Sequence, residues 1–95
     1  MANTDRDARE RFAANVEGLR RQAGLSLDAL ATRSRVDAEE LRRILDADQE
    51  AGAGAIDMIA GALGVDPGEL FRGIVWVPPA DGRPGRYAVE GPEGG

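Results

Sequence analysis

The feature that most constrains this chain is a succession of short amphipathic segments, each bounded by a signal that starts or ends a helix. Up to residue 71, apolar residues recur at spacings of three and four, as they do on the buried face of an α-helix. Gly24 and Gly64 end two of these segments, and Ser26 and Asp37 are typical capping residues that open two others. The pattern predicts an all-α fold, a five-helix bundle over residues 1–73.

The character of the sequence changes after residue 73. Residues 74–77 and 86–90 are rich in β-branched and aromatic side chains, and residues 78–85 between them are rich in proline and glycine. This pattern predicts a short C-terminal β-hairpin at residues 74–90, followed by a disordered tail at residues 91–95. Because an isolated two-stranded hairpin is marginally stable in water, it must pack on the helices or pair with another chain.

Residues 26–47 carry the strongest indication of function. Two short helical segments are separated here by only the three residues 34–36, and Asp37 with Glu40 forms a capping box that opens the second segment. Ala31 is small enough to let the two helix backbones approach closely. A turn this tight holds the second helix at a steep angle and away from the body, where it fits the major groove of B-form DNA.

Several motifs follow one another in a distinctive order between residues 16 and 71: Leu19-Arg20, Gly24-Leu25-Ser26, Leu30-Ala31, Val36, Leu41 and Ile59-Ala60-x-Ala62-Leu63-Gly64-Val65. In this order they resemble the Xre family of lambda-repressor-like helix-turn-helix proteins. That family folds as a four- or five-helix bundle and typically binds palindromic operators as a dimer. The resemblance therefore implies a sequence-specific transcriptional regulator, a repressor or an activator, that binds double-stranded DNA as a homodimer.

Four positions depart from the family pattern. Leu27 stands where the family usually has a glutamine that touches a DNA phosphate. Arg35 replaces the glycine of the turn, where a positive φ is expected. Leu45 and Ala47 replace a glutamate and a glycine at the end of the third helix. These four substitutions affect the expected DNA contacts more than the expected fold.

The resemblance also assigns DNA contacts to named residues. The positions carried over to the edges of the bases are Ala38, Glu39, Arg42 and Arg43. Arginine bonds a guanine with two donors, glutamate accepts from cytosine N4, and an alanine methyl group contacts a thymine methyl group. The positions carried over to the DNA backbone are Ser26, Leu27, Arg20 and Arg33.

An alternative role stays open for each of these arginines. Arg42 and Arg43 have acidic neighbours at helical spacing, so they also suit ion pairs on the protein surface. Arg20 and Arg33 also suit a purely solubilising role.

Trp76 and Tyr87 belong to the predicted hairpin and have two interpretations. They either cover the helices as a small satellite core or form a self-associating surface, where aromatic side chains are enriched. A free strand edge also invites pairing with a second copy of the chain. We favour dimerisation through this hairpin, with Ile74, Trp76, Tyr87 and Val89 at the interface.

The composition excludes several other classes of protein. The chain has no histidine and no cysteine, which removes the usual general base, disulfides and thiolate metal sites. It also lacks the glycine motifs of phosphate and dinucleotide sites. We therefore expect no enzyme, cofactor or metal site, and no residue set suggests a small-molecule ligand. No apolar run approaches the roughly 18 residues of a membrane span, and no secretory signal is apparent, so we expect a cytoplasmic protein.

The net charge of −5 is unevenly distributed and supports a rival function. Residues 1–35 hold seven arginines and five acidic residues, whereas residues 36–71 hold two arginines and nine acidic residues. An acidic chain does not bind DNA indiscriminately, although one face of it can be locally basic. The rival is a protein-interaction module on the same scaffold, which binds another protein through its acidic face and binds DNA weakly or not at all.

Overall fold

The structure is a computed structural model that describes residues 4–90, so the predicted disordered tail at 91–95 lies outside the described residues. The elements, in chain order, are α1 (Thr4–Gln22), α2 (Leu27–Ser34), α3 (Ala38–Leu45), α4 (Ala53–Leu63), a 3₁₀ helix (Pro67–Phe71), β1 (Ile74–Val77) and β2 (Arg86–Val89). A mostly helical body with a small antiparallel hairpin is thus confirmed. No described helix is long and apolar enough to cross a membrane.

The prediction of a fifth α-helix is wrong, because residues 4–90 contain four α-helices and one 3₁₀ helix. Pro67–Phe71 forms a single 3₁₀ segment, in which the Glu69 amide donates to the Asp66 carbonyl at 2.9 Å. Gly73 then takes a left-handed φ of 79° and directs the chain into β1. Five residues suit the tighter i→i+3 bonding of a 3₁₀ helix, which rarely extends further.

The core draws side chains from all four α-helices and from the 3₁₀ helix. The apolar side chains that are at most 1% exposed are Val16, Leu30, Leu41, Ile44, Ile59, Ala60 and Leu70. Ala31 and Val36, at the junction of α2 and α3, are also buried. Because interiors are packed about as densely as organic crystals, this core fixes the orientation of α3 relative to the body.

The hairpin has the register and the turn that its sequence favours. Ile74 pairs with Val89 and Trp76 with Tyr87. At the tip, Asp81 and Gly82 both have positive φ, 52° and 75°, as in the two-residue turns that match the twist of paired strands. The hairpin packs mainly along α1. This placement leaves the outer side of α3 to solvent.

Candidate nucleic-acid interface

The predicted caps of α2 and α3 are both present. The Ser26 hydroxyl accepts from the Ala29 amide at 3.0 Å. The Asp37 carboxylate accepts from the amides of Glu39 and Glu40 at 3.1 and 3.3 Å. These bonds satisfy amides that have no partner within a helix, so each helix begins at a defined residue.

A buried serine and a left-handed arginine close the turn between the two helices. The Ser34 side chain is 1% exposed; its hydroxyl donates to the Ala31 carbonyl at 3.3 Å and accepts from the Val36 amide at 3.2 Å. Arg35 has φ 61° and ψ 20°, and its amide donates to the Ala31 carbonyl at 2.9 Å. Arg35 thus has the left-handed backbone conformation that was expected of a glycine at this position. Sequence reasoning missed the role of Ser34, for which no recognised motif exists.

The outer side of α3 exposes three of the four residues predicted to contact bases. Glu39, Arg42 and Arg43 are exposed, and Ala38 is half-buried. Arg42 Nη1 lies 3.0 Å from Glu39 Oε1, with the two side chains 51% and 66% exposed. Exposed ion pairs of this kind contribute roughly 0–1 kcal/mol, so the pair does not hold Arg42 away from another partner.

Arg43 points instead to the loop between α3 and α4. Its Nε donates to Gln49 Oε1 at 2.9 Å. In the same loop Ala47, where the family has glycine, is buried and has a left-handed φ of 63°. Gln49 was not among the predicted site residues, because nothing in the local sequence pattern connects it with α3.

Arg20 is held within the protein in this structure. Its Nε and Nη2 donate to the Glu17 carboxylate at 3.1 and 2.7 Å, and its Nη1 donates to the Leu25 carbonyl at 2.7 Å. The hydrogen bond from Arg20 lowers the pKa of Glu17 against the opposing effect of burial, and the charges of Arg20 and Arg21 lower it further. Arg20 therefore fixes the loop between α1 and α2.

The remaining predicted backbone contacts lie on α2 and differ in exposure. Ser26 and Arg33 are exposed at the two ends of this helix. Leu27 is half-buried and packs against the core. The side chain at this position is thus turned inward, whereas a glutamine there would have to reach outward to touch phosphate.

The aromatic side chains of the hairpin pack on the body through ring contacts and also remain partly exposed. Ring centroids are 5.1 Å apart for Trp76 and Tyr87, 5.9 Å for Tyr87 and Phe71, and 5.2 Å for Phe71 and Phe12, so a row of aromatic rings runs from the surface to the buried Phe12. Trp76 and Tyr87 nevertheless remain 55% and 46% exposed.

The other two residues predicted at a dimer interface are less exposed. Ile74 and Val89 are both half-buried, and Ile74 packs against the core. Within residues 4–90, no group of His, Cys, Asp or Glu side chains is arranged to hold a metal ion.

Comparisons with known proteins agree with this helix-turn-helix arrangement. A family model described as "Helix-turn-helix domain" matches residues 11–72, more than half of the chain. No curated protein matches the sequence.

Among solved structures, the chain is similar to the restriction-modification controller protein C.AhdI from Aeromonas hydrophila, with a TM-score of 0.64 and 28% identity over 66% of this chain and 96% of that one. An HTH_3 family transcriptional regulator from Vibrio cholerae gives a TM-score of 0.68 and 28% identity over 73% of this chain, which spans 39% of that protein.

A hypothetical transcription factor, NHTF from Neisseria, gives a TM-score of 0.65 and 25% identity over 75% of this chain and 84% of its own. The resemblance to Xre-type proteins drawn from the sequence is thereby confirmed. The chain belongs to the helix-turn-helix domain family.

Proposed function

We propose that this protein is a sequence-specific DNA-binding regulator of transcription that acts in the cytoplasm and catalyses no reaction. The observation that carries the proposal is the two-sided character of α3. Leu41 and Ile44 on its inner side are at most 1% exposed, while Arg42 and Arg43 on its outer side reach solvent. A helix anchored in this way enters the major groove without disturbing the core.

In this proposal Arg42 and Arg43 exchange their present partners for base edges. A bidentate arginine–guanine contact discriminates by about 1–3 kcal/mol, which exceeds the stabilisation expected from the exposed Arg42–Glu39 pair. Glu39, once released, accepts from a cytosine amino group, and Ala38 contacts a thymine methyl group. Of the two arginines, Arg43 must also give up its bond to Gln49.

The DNA backbone is bound by α2 and the residues around it. Ser26 uses its hydroxyl oxygen to cap the helix, so its hydroxyl hydrogen is free to donate to a phosphate. Leu27 contributes its backbone amide, one of those without a partner inside the helix, and Arg33 contributes its charge. Arg20 serves by fixing the α1–α2 loop, through its bond to the Leu25 carbonyl.

Selection of bound sequences from a random duplex pool tests this function. We expect enrichment of one palindromic sequence, bound with an affinity that falls steeply between low and moderate salt because phosphate contacts release counterions. A protein that binds no duplex even at low salt would contradict the proposal. That result would favour the interaction module, whose acidic face then becomes the surface to test against candidate protein partners.

We further propose that the protein acts as a homodimer joined through the hairpin. Val75, Trp76 and Tyr87 are 40–55% exposed, and each strand of the hairpin has an edge that is unpaired within the sheet. Ile74 and Val89 hold the strands against the body, and Trp76 and Tyr87 supply the contact surface. A dimer also doubles the number of bases read, since one short helix specifies only a few.

Sedimentation of the variant Trp76→Ser tests the dimer. We expect this variant to sediment as a folded monomer at a concentration where the parent is a dimer. Met58→Ser is the matched control, because Met58 is also about half exposed, at 51%, but lies on α4. If Met58→Ser is a monomer and Trp76→Ser remains a dimer, the interface lies on α4 and the hairpin proposal is contradicted.

A further inference from the structure

A groove of about 280 Å³ lies on the body between the first turns of α1, the α3–α4 loop and the hairpin. Its walls are mainly apolar, with rings and aliphatic groups from Ala8, Phe12, Ala51, Ile56, Phe71 and Tyr87. Binding sites for small organic molecules have this character, an apolar cleft with a few polar groups that fix orientation. The volume suits a molecule smaller than a typical drug.

One cation lines the groove with spare hydrogen-bonding capacity. Arg9 is half-buried, and its Nε donates to the Ala47 carbonyl at 2.9 Å. Among the side chains that the structure describes, those of residues 6–90, none is bonded to Nη1 or Nη2 of Arg9. Glu50 also lines the groove, and among the described side chains no ion pair joins it to Arg9. A half-buried guanidinium with two free amino groups next to apolar walls matches a carboxylate attached to an apolar body.

We propose that this groove binds a small monocarboxylic acid with an aromatic or aliphatic body. The carboxylate accepts from Nη1 and Nη2 of Arg9, and the body lies against the rings of Phe12, Phe71 and Tyr87. The sequence alone did not indicate this site, since its lining comes from residues 8–12, 49–56 and 71–87, which only the fold brings together.

The polar lining of the groove connects it to α3. Gln49 lines the groove and accepts from Arg43 Nε at 2.9 Å, and Arg9 bonds the carbonyl of the strained residue Ala47 just after α3. A bound acid adds a partner to Nη1 and Nη2 of Arg9 and contacts Gln49, so it alters the partner of Arg43. This coupling rests on the proposed function, and it predicts a change of about fivefold or more in affinity for the selected duplex.

Binding is measured first without DNA, by the fluorescence of the single tryptophan. Trp76 lies 5.1 Å from the ring of Tyr87, which lines the groove. We expect 4-phenylbutyrate to change the emission in a saturable manner. The uncharged analogue 4-phenylbutan-1-ol should bind at least about tenfold more weakly, since it lacks the charge-assisted bonds. Equal binding of acid and alcohol, or no saturable change up to about 10 mM acid, would overturn the proposal.

Two substitutions of Arg9 distinguish the role of its charge in binding the acid from its structural contact with the Ala47 carbonyl. Arg9→Gln should remove the preference for the acid, while Arg9→Lys, which keeps a cation, should retain a preference over the alcohol. Arg83→Gln, at the exposed hairpin tip, is the matched control and should bind as the parent does. Retention of the full preference in folded Arg9→Gln would overturn the assignment of Arg9.

The coupling is then measured as duplex affinity with and without the acid. Saturable binding of the acid that leaves duplex affinity unchanged would overturn the coupling but not the site. Failure of the protein to bind any duplex would contradict the proposed function and leave the fluorescence result standing. The two proposals therefore fail separately.

Discussion

The helix-turn-helix unit and the C-terminal hairpin bury their apolar side chains to very different extents. In the unit formed by α2 and α3, Leu30, Leu41 and Ile44 are at most 1% exposed. In the hairpin, Trp76 and Tyr87 remain about half exposed although they are the largest side chains there. The unit therefore buries its large apolar side chains within the domain, whereas the hairpin leaves aromatic surface exposed to solvent.

This difference has consequences for how each region opens. The unit shares its core with α1, α4 and the 3₁₀ helix, so it opens only when the whole domain unfolds. The hairpin has two strands and packs mainly on α1, so we expect it to open locally at a lower free energy. A rigid unit suits base recognition, which tolerates little misplacement, and a looser hairpin suits a contact with a partner.

The largest expected effect contrasts one core residue with one hairpin residue. Leu41→Ala should lower the free energy of unfolding by about 2–5 kcal/mol, because it leaves a cavity in a packed core. Trp76→Ala should cost less than about 2 kcal/mol although more atoms are removed, because over half of that side chain is already in water. Denaturant unfolding at concentrations that keep the protein monomeric checks this. A larger cost for Trp76→Ala would reverse the comparison.

A smaller effect is expected at the cap that opens α3. Asp37→Ala removes the acceptor for two backbone amides and should lower the free energy of unfolding by about 1 kcal/mol. Asp48→Ala removes the same charge from an exposed loop position and should change stability by less than about 0.5 kcal/mol. Thermal unfolding of the two variants side by side measures the difference. Equal losses would mean that charge, and not capping, sets the effect.

The smallest effect concerns two non-glycine residues with left-handed backbone. Arg35→Gly should raise the free energy of unfolding by about 0.5–1 kcal/mol, because the strain relieved exceeds the added flexibility of the unfolded chain. Asp81→Gly relieves similar strain at the hairpin tip, but it should leave global unfolding almost unchanged if the hairpin opens first. Hydrogen exchange of core amides checks both variants, and an equal gain would show that the hairpin unfolds with the body.

Sequence reasoning predicted the parts of the fold that local chemistry determines. Side-chain type and spacing predict the caps at Ser26 and Asp37, the apolar faces of the helices and the hairpin. All of these are present in the structure. The sequence predicts an α-helix at 67–71, where the structure has a 3₁₀ helix, because proline and capping signals mark the start of either helix type and do not set its pitch.

The candidate site was predictable in position but not in its contacts. The resemblance placed Arg42, Arg43 and Glu39 on α3, and the structure leaves all three exposed. The bond from Arg43 to Gln49 joins residues six apart across the end of a helix, so no periodicity indicates it. The inward packing of Leu27 likewise depends on how neighbouring elements pack. The Arg20–Glu17 pair is instead an i,i+3 contact within α1, but the bond from Arg20 to the Leu25 carbonyl depends on the path of the loop after this helix.

The most direct test of the central claim, that α3 recognises bases through its arginines, is the affinity of three arginine variants for the selected duplex. Arg42→Ala and Arg43→Ala should each weaken binding by about 1–3 kcal/mol while binding to mixed-sequence DNA falls less. Arg83→Ala makes the same change in charge at the hairpin tip and should weaken binding to the selected duplex far less. If all three variants bind the selected duplex as tightly as the parent protein, α3 is not the element that recognises DNA.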